Sequence, residues 1–125
     1  MNPSMIAPKQ MEAYQATARR RWQEQLEARE RRRDLAWEVT RRAASLLREQ
    51  FGAGRVAVFG SLVHGRSFSR WSDIDLAVWG LQSDDYFVAV ARLQDLSPEF
   101  ELDLVDMEHC RPELQAVILQ EGRVL

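Results

Sequence analysis

The chain of 125 residues is long enough for one domain of ordinary size, and its composition, 46% hydrophobic and 29% charged, is typical of a globular protein in water. No apolar run approaches the roughly 20 residues that a membrane-spanning helix needs, and we expect no secretory signal because no basic segment precedes an apolar core. The single Cys110 excludes an internal disulfide. These features predict a cytoplasmic protein that makes no membrane contact.

The net charge of −2 conceals two halves of opposite charge. Residues 1–50 contain eleven Lys and Arg against seven Asp and Glu, a net +4, whereas residues 51–125 contain six against twelve, a net −6. A basic half can attract nucleic acid or an acidic protein. Because acidic residues interleave the arginines and no aromatic stacking surface is evident in the sequence, nucleic-acid binding is the less favoured of the two.

The N-terminal part of the chain has strong helix chemistry, since it contains no glycine or proline between Lys9 and Phe51. Apolar residues at steps of three and four form a first stripe, which comprises Met11, Tyr14, Ala18, Trp22 and Leu26. A second stripe begins at Leu35 after a polar stretch. The pattern fits two helices, with Asp34 capping the second, or one long helix. We divide the chain into a helical extension, residues 1–33, and a domain, residues 34–125.

The first stripe is too thin to bury itself on an isolated helix. It must pack on the domain, on a second copy of the chain or on another protein, and self-packing or a homo-oligomer is the favoured interpretation. The run Arg31–Arg33 is interpreted as a solvated face laced with glutamates.

Beyond Gly52, which is placed to end the second helical stretch, short strands alternate with short helices. Strands are predicted at Arg55–Phe59, Asp73–Trp79 and Phe100–Val105. Helices are predicted from Ser61 to Gly65, from Asp84 to about Ser97, and from Pro112 to Gly122.

The residues that can carry chemistry surround the first two strands. Gly60 ends the first strand and puts no side chain between the backbone and a ligand, and Ser61 opens a helix whose free N–H groups can face an anion. Asp73 and Asp75 lie two apart on the second strand, so that both carboxylates point to one side. Such a pair repels itself unless it shares a cation, and hard oxygen ligands suit Mg²⁺ with substrate phosphates.

A third carboxylate is expected from the next strand, because two-metal catalysis stabilises both the attacking and the leaving oxygen. Asp103 lies on the polar face of that strand, with Glu101 as a competing candidate on the same face and Asp106 on the opposite one. In and near the loop between the Gly-Ser and Asp-x-Asp segments, other side chains are candidates for contacts to phosphate or base. They are Arg66, Arg70, His64 and Trp71. For each, a surface or packing role is at least as strongly favoured, and for Trp71 packing beneath the loop is the favoured interpretation.

These segments resemble the signature of the minimal nucleotidyltransferases of the DNA polymerase beta superfamily: Phe59-Gly60-Ser61, Gly65 and Ser72–Leu76. The family pattern is Gly-Ser, a spacer of about ten residues and Asp-x-Asp; the spacer here, residues 62–72, has eleven. His64 stands where a basic residue is common. The segment 102–105 is similar to the family's third-aspartate strand, and the resemblance runs from about Leu35 to Leu125.

The resemblance implies an α/β (α+β) fold with a small mixed sheet flanked by helices. It implies that Asp73, Asp75 and Asp103 are catalytic and bind metal, with two Mg²⁺ ions. It also implies a Mg²⁺-dependent transfer of AMP from ATP to an acceptor hydroxyl, with release of pyrophosphate. The nucleotide's phosphates would be held by Gly60, Ser61 and Arg66.

The partner that the resemblance implies is a HEPN-domain RNase toxin, since this family commonly supplies the antitoxin of a two-gene module. The toxin would then be the acceptor of AMP. One alternative is a small acceptor such as an aminoglycoside, although those enzymes usually add a domain to bind it. Another is an antitoxin that neutralises its toxin by contact alone.

Overall fold

A computed structural model of the protein describes residues 7–65 and 67–125. The helices are α1 (Pro8–Phe51), α2 (Ser61–His64), α3 (Tyr86–Gln94) and α4 (Pro112–Glu121). The strands are β1 (Arg55–Phe59), β2 (Ile74–Trp79), β3 (Leu102–Asp106) and β4 (Arg123–Val124), and two short 3-10 turns cover Ser83–Asp85 and Met107–His109. Short strands flanked by helices are the architecture that was predicted, and the fold class is confirmed.

The four strands form one mixed sheet in the order β3-β2-β1-β4. Strand β1 is antiparallel to β2 and β4, whereas β2 and β3 are parallel. In the described residues β2 begins at Ile74, one residue after its predicted start at Asp73. Strand β3 begins at Leu102, two residues after its predicted start at Phe100. Strand β4, which pairs Val124 with Ala57, was not predicted.

Helix α1 runs without interruption through Arg33 and Asp34, so the break considered there does not form. It ends at Phe51, and Gly52 caps it in the left-handed conformation (φ +67°), which glycine adopts without strain. From Leu35 onward one face of the helix packs against the domain, whereas the apolar side chains of the first stripe are exposed; Tyr14 is 65% and Trp22 60% accessible. Packing therefore changes along a single helix near the proposed boundary at residue 33.

The two faces of the sheet are covered differently. One face buries Val56, Ile74, Leu76 and Leu102 in the core that includes the second half of α1. On the other face, a smaller cluster around Ala77, Met107 and Ile118 covers only part of the surface. The uncovered part carries the aspartates of β2 and β3. Within residues 7–65 and 67–125 no helix is both long and apolar enough to cross a membrane.

Candidate active site

Two of the predicted carboxylates lie side by side on neighbouring strands. The parallel register pairs Asp75 of β2 with Asp103 of β3, so their side chains leave the same face of the sheet. Asp73 stands directly before β2, two residues from Asp75. Asp75 is half-buried and Asp103 is exposed. The fold thus brings the three aspartates to one end of the uncovered face.

The three carboxylates are close enough to repel one another. Burial, followed by the negative charges of Asp103 and Asp73, raises the pKa of Asp75 to about 6. The ionised form of Asp75 is therefore unfavourable in the protein by itself. A bound cation would reverse this penalty, because it attracts all three carboxylates at once.

Gly60 makes room for Asp75. Its backbone has φ +77° and ψ −150°, a conformation that side chains oppose. A Cβ atom built at this position would overlap the Oδ2 atom of Asp75. Phe59, the preceding residue, pairs with Asp75 across β1 and β2. The Gly-Ser turn and the Asp-x-Asp segment are thus in direct contact, and Ser61 begins α2 beside them.

The aspartates do not form a closed metal shell by themselves. In the described ranges no three Asp, Glu, His or Cys side chains are gathered as tightly as metal ligands. The donor chemistry nevertheless fits a hard divalent cation, since it consists of carboxylate oxygens, and none of the three aspartates forms an ion pair with a described residue. A cation bound beside Asp75 would be stabilised, because it would relieve the repulsion between Asp75 and the other two carboxylates.

The other candidates near the loop have varied surroundings. Arg66 lies outside the described residues. Arg70 stacks over the ring of Trp71, with its guanidinium carbon 4.6 Å from the ring centroid. Trp71 is 78% accessible, so it does not pack beneath the loop. His64 Nε2 lies 3.3 Å from a carboxylate oxygen of Glu121 in α4.

The two rival acids occupy different positions from Asp103. Glu101 precedes β3, and its backbone carbonyl accepts a hydrogen bond from the N–H of Ile74 (3.0 Å). Asp106 ends β3 and lies 2.9 Å from Nδ1 of His109. It also accepts a hydrogen bond from the N–H of Glu108. Asp103 is thus the acid of β3 that is in register with Asp75.

Sequence reasoning missed the part played by Arg32, which it grouped with the solvated arginines. Its guanidinium lies 4.3 Å from the ring centroid of Phe100, and its Nε donates to the carbonyl of Ser69 (3.2 Å). Arg32 therefore fastens α1 to the loop that leads into Asp73. One signal was available, since residue 32 is four positions before the buried Ala36 and so lies on the same helix face.

A cleft of about 500 Å³ follows the outer edge of β3. Val105, two residues beyond Asp103 on the same face, is among its lining residues, with Tyr86 and Phe87 from α3 and Leu114 from α4. The hydroxyl of Tyr86 donates to the carbonyl of Leu104 (2.7 Å) and so occupies one backbone group of this edge. The cleft is mainly apolar, and it lies on the β3 side of the aspartates without being lined by any of the three.

Comparison with known proteins places this geometry in a family. The model described as "Polymerase beta, Nucleotidyltransferase" matches residues 42–125. No curated protein matches the chain significantly.

Several solved structures share the fold. One is a toxin–antitoxin complex with AMP-PNP, at 25% identity and TM-score 0.55, covering 64% of this chain and 66% of that one. A second is the tri-AMPylated Shewanella oneidensis HEPN toxin in complex with an MNT antitoxin, at 22% identity and TM-score 0.55, covering 71% and 70%. A third is the toxin–antitoxin MntA–HepT, at 21% identity and TM-score 0.54, covering 70% and 69%. The chain thus spans about two thirds of the length of these structures.

Proposed function

The chain belongs to the polymerase beta nucleotidyltransferase family, and on that premise we propose that it transfers AMP from Mg²⁺-bound ATP to a hydroxyl group of a HEPN-type toxin, and so acts as an antitoxin. The observation that carries the proposal is the group formed by Asp73, Asp75 and Asp103 against the Gly60 turn. The structural likeness to a toxin–antitoxin complex with AMP-PNP and to a HEPN toxin bearing AMP supports the choice of nucleotide and partner. We assign the reaction to the cytoplasm, where ATP is available.

The metal would be held by the three aspartates. Asp73 and Asp75 would contact both ions, and Asp103 would complete the second site. When bound, Mg²⁺ supplies positive charge that stabilises the phosphate oxygens and the departing pyrophosphate.

The phosphates would lie on the β1 side of the aspartates. Gly60 leaves the backbone accessible there, and the hydroxyl and N–H of Ser61 are suited to bind phosphate oxygens. Arg66 is assigned to the same group of oxygens from its position in the sequence. Such contacts would fix the β- and γ-phosphates while the bond to the α-phosphate breaks.

The acceptor would approach from the β3 side. In-line displacement requires the attacking oxygen to stand opposite the leaving pyrophosphate, and Asp103 lies across Asp75 from the Gly60 turn. Asp103 would accept the hydroxyl proton as the oxygen bonds to the α-phosphorus, and the bond between the α-phosphorus and pyrophosphate breaks. The apolar cleft beside Val105 is then on the side of the acceptor.

The direct test incubates the protein with Mg²⁺, ATP labelled in the α-phosphate and the HEPN protein encoded by the neighbouring gene. We expect label on that protein with the wild type and with Glu101→Gln, a nearby acid outside the proposed site. We expect none with Asp73→Asn/Asp75→Asn. Absence of label with the wild type, or equal label with the double variant, would overturn the proposal. Full neutralisation by the double variant would favour an antitoxin that acts by contact, and label on an aminoglycoside would favour the small-acceptor alternative.

A further inference from the structure

The N-terminal part of α1 presents an apolar face that the domain does not cover. The stripe of Met11, Tyr14, Ala18, Trp22 and Leu26 is accessible, with Leu26 39% and Trp22 60% exposed. We call residues 8–33 the arm. At about 1.5 Å per residue the arm is about 39 Å long, and its apolar side chains need a partner that the domain does not supply.

The stripe faces the same side as the domain. Ala18 precedes the buried Ala36 by about five turns of a continuous helix, so both lie on one face. The arm and the loop of residues 67–72 therefore border a concave surface, which we call the corner. Two depressions of about 340 and 470 Å³ occupy this corner; the first lies between Leu26 and Phe68 and the second between Arg29 and Trp71.

Positive charge predominates on the side of the arm that carries the stripe. At about 100° per residue, five arginines and no acid lie within about 80° of the centre of the stripe; they are Arg19, Arg21, Arg29, Arg32 and Arg33. Glu24 and Glu27 point away from it, whereas Glu12 and Glu30 flank it at about 100°. Glu30 lines the first depression together with Leu26 and Arg29. Among the described residues none of these arginines forms an ion pair, since the pairs there join His64 to Glu121 and His109 to Asp106. Arginines therefore outnumber acids on the stripe side of the arm.

This pattern selects among three kinds of occupant. A second copy of the arm would bring two arginine-bordered faces together, which like charges oppose. A nucleic acid would satisfy the arginines but not Met11, Ala18 and Leu26, and it would meet a domain of net charge −6 beside the corner. A protein surface with an apolar centre and an acidic border matches both the stripe and its rim.

We propose that the arm is the docking surface for the acceptor protein, and that the acceptor binds it through an apolar helix or groove bordered by Asp and Glu. This inference rests on the proposed function only in taking the acceptor to be a protein. A protein seated in the corner touches the loop of residues 67–72, which leads directly into Asp73. Docking would therefore hold the acceptor beside the carboxylates and raise the effective concentration of its hydroxyl.

The test compares two charge reversals of equal size on opposite faces of the arm. Arg19→Glu/Arg21→Glu changes the stripe side, and Arg20→Glu/Arg31→Glu changes the back. Titration calorimetry measures binding to the HEPN protein of the neighbouring gene, and initial rates give KM and kcat for AMP transfer. We expect the first pair to weaken binding and raise KM at least tenfold with kcat nearly unchanged, and the second to change both less than twofold. Trp22→Ser is expected to follow the first pair.

Three results would overturn the docking role: equal effects from the two faces, no effect from either, or failure of the wild type to bind.

A light-scattering mass that falls from dimer to monomer in Trp22→Ser would also overturn it, and would identify a second copy as the occupant. Binding of single-stranded RNA that is lost with the first pair alone would identify nucleic acid instead. Asp73→Asn/Asp75→Asn separates the two proposals, because it should bind the partner normally without transferring AMP. If the wild type binds the partner but transfers no AMP, the proposed activity is overturned and the docking role of the arm still holds.

Discussion

Asp75 is destabilising in the protein without a cation. Its carboxylate is half-buried and faces Asp103 and Asp73, so the folded protein resists its ionisation. Proteins retain such arrangements where function needs them, at a cost in stability. The acid is therefore more informative about the site than a buried apolar residue of the same strand.

Asp75→Asn should make the protein more stable at neutral pH. Because the pKa of Asp75 is raised to about 6, the folded state keeps this proton at pH values where the unfolded state has lost it. Its contribution to stability is thus full below the ordinary aspartate range and is lost as pH rises through about 6. We expect the variant to gain about 1 kcal/mol at pH 7.5, after allowance for solvent screening, and almost nothing at pH 4. Thermal unfolding at both pH values, without divalent ions, measures the difference. A lower Tm than wild type at pH 7.5 would contradict the electrostatic explanation.

Gly60→Ala should damage the site more than the fold. The new Cβ would displace the carboxylate of Asp75, and the backbone strain should cost about 1–3 kcal/mol. Gly52→Ala is the control, since Gly52 also has a positive φ but an added Cβ there meets nothing within 4 Å. We expect AMP transfer to fall at least a hundredfold in Gly60→Ala and less than threefold in Gly52→Ala, measured on protein shown to be folded by circular dichroism. Equal loss in both variants would mean that strain alone, and not the contact with Asp75, is responsible.

Among the elements, those bounded by strong local signals were predicted with correct limits. Strand β1 ends where Gly60 turns the chain, and α2 and α4 begin at the predicted residues, Ser61 and Pro112. Strand β4 could not be predicted, because Arg123 and Val124 become a strand only by pairing with a distant segment. The continuity of α1 was left open by the sequence. Its helix-favouring composition, with Arg32 stacked on Phe100, keeps the helix intact where its apolar pattern lapses.

Arg32→Met should loosen the joint between α1 and the loop of residues 67–72. It removes a cation–π contact with Phe100 and a hydrogen bond to Ser69, together worth about 1–2 kcal/mol. The exposed neighbour Arg31→Met is the matched control. We expect a Tm several degrees lower and faster amide hydrogen exchange in residues 67–72 for Arg32→Met alone. If the exchange rates of the loop are the same in both variants, Arg32 does not anchor it.

For the whole molecule, the separation of charge matches the two proposed functions, catalysis by the domain and docking of the acceptor by the arm. The acidic half carries the aspartates, and the basic half carries the arm. The spacing of Asp73 and Asp75 was enough to predict that they share a side. Asp103 was favoured as the third acid from the alternation of its strand and from the family resemblance. Its exact register with Asp75 could not be predicted, because the parallel pairing of β2 and β3 depends on the packing of the entire domain. The direction of the stripe on the arm depends likewise on the unbroken helix that joins it to the core. The boundary at residue 33 stays a prediction.

The central claim is that Asp73, Asp75 and Asp103 together bind divalent cations with a nucleotide. Mn²⁺ binding, followed by electron paramagnetic resonance in the presence of AMP-PNP, tests this without any acceptor. We expect nucleotide-dependent binding by the wild type and by Glu101→Gln, and at least tenfold weaker binding by Asp75→Asn and by Asp103→Asn. Mn²⁺ affinity that is the same in all four proteins would contradict the claim.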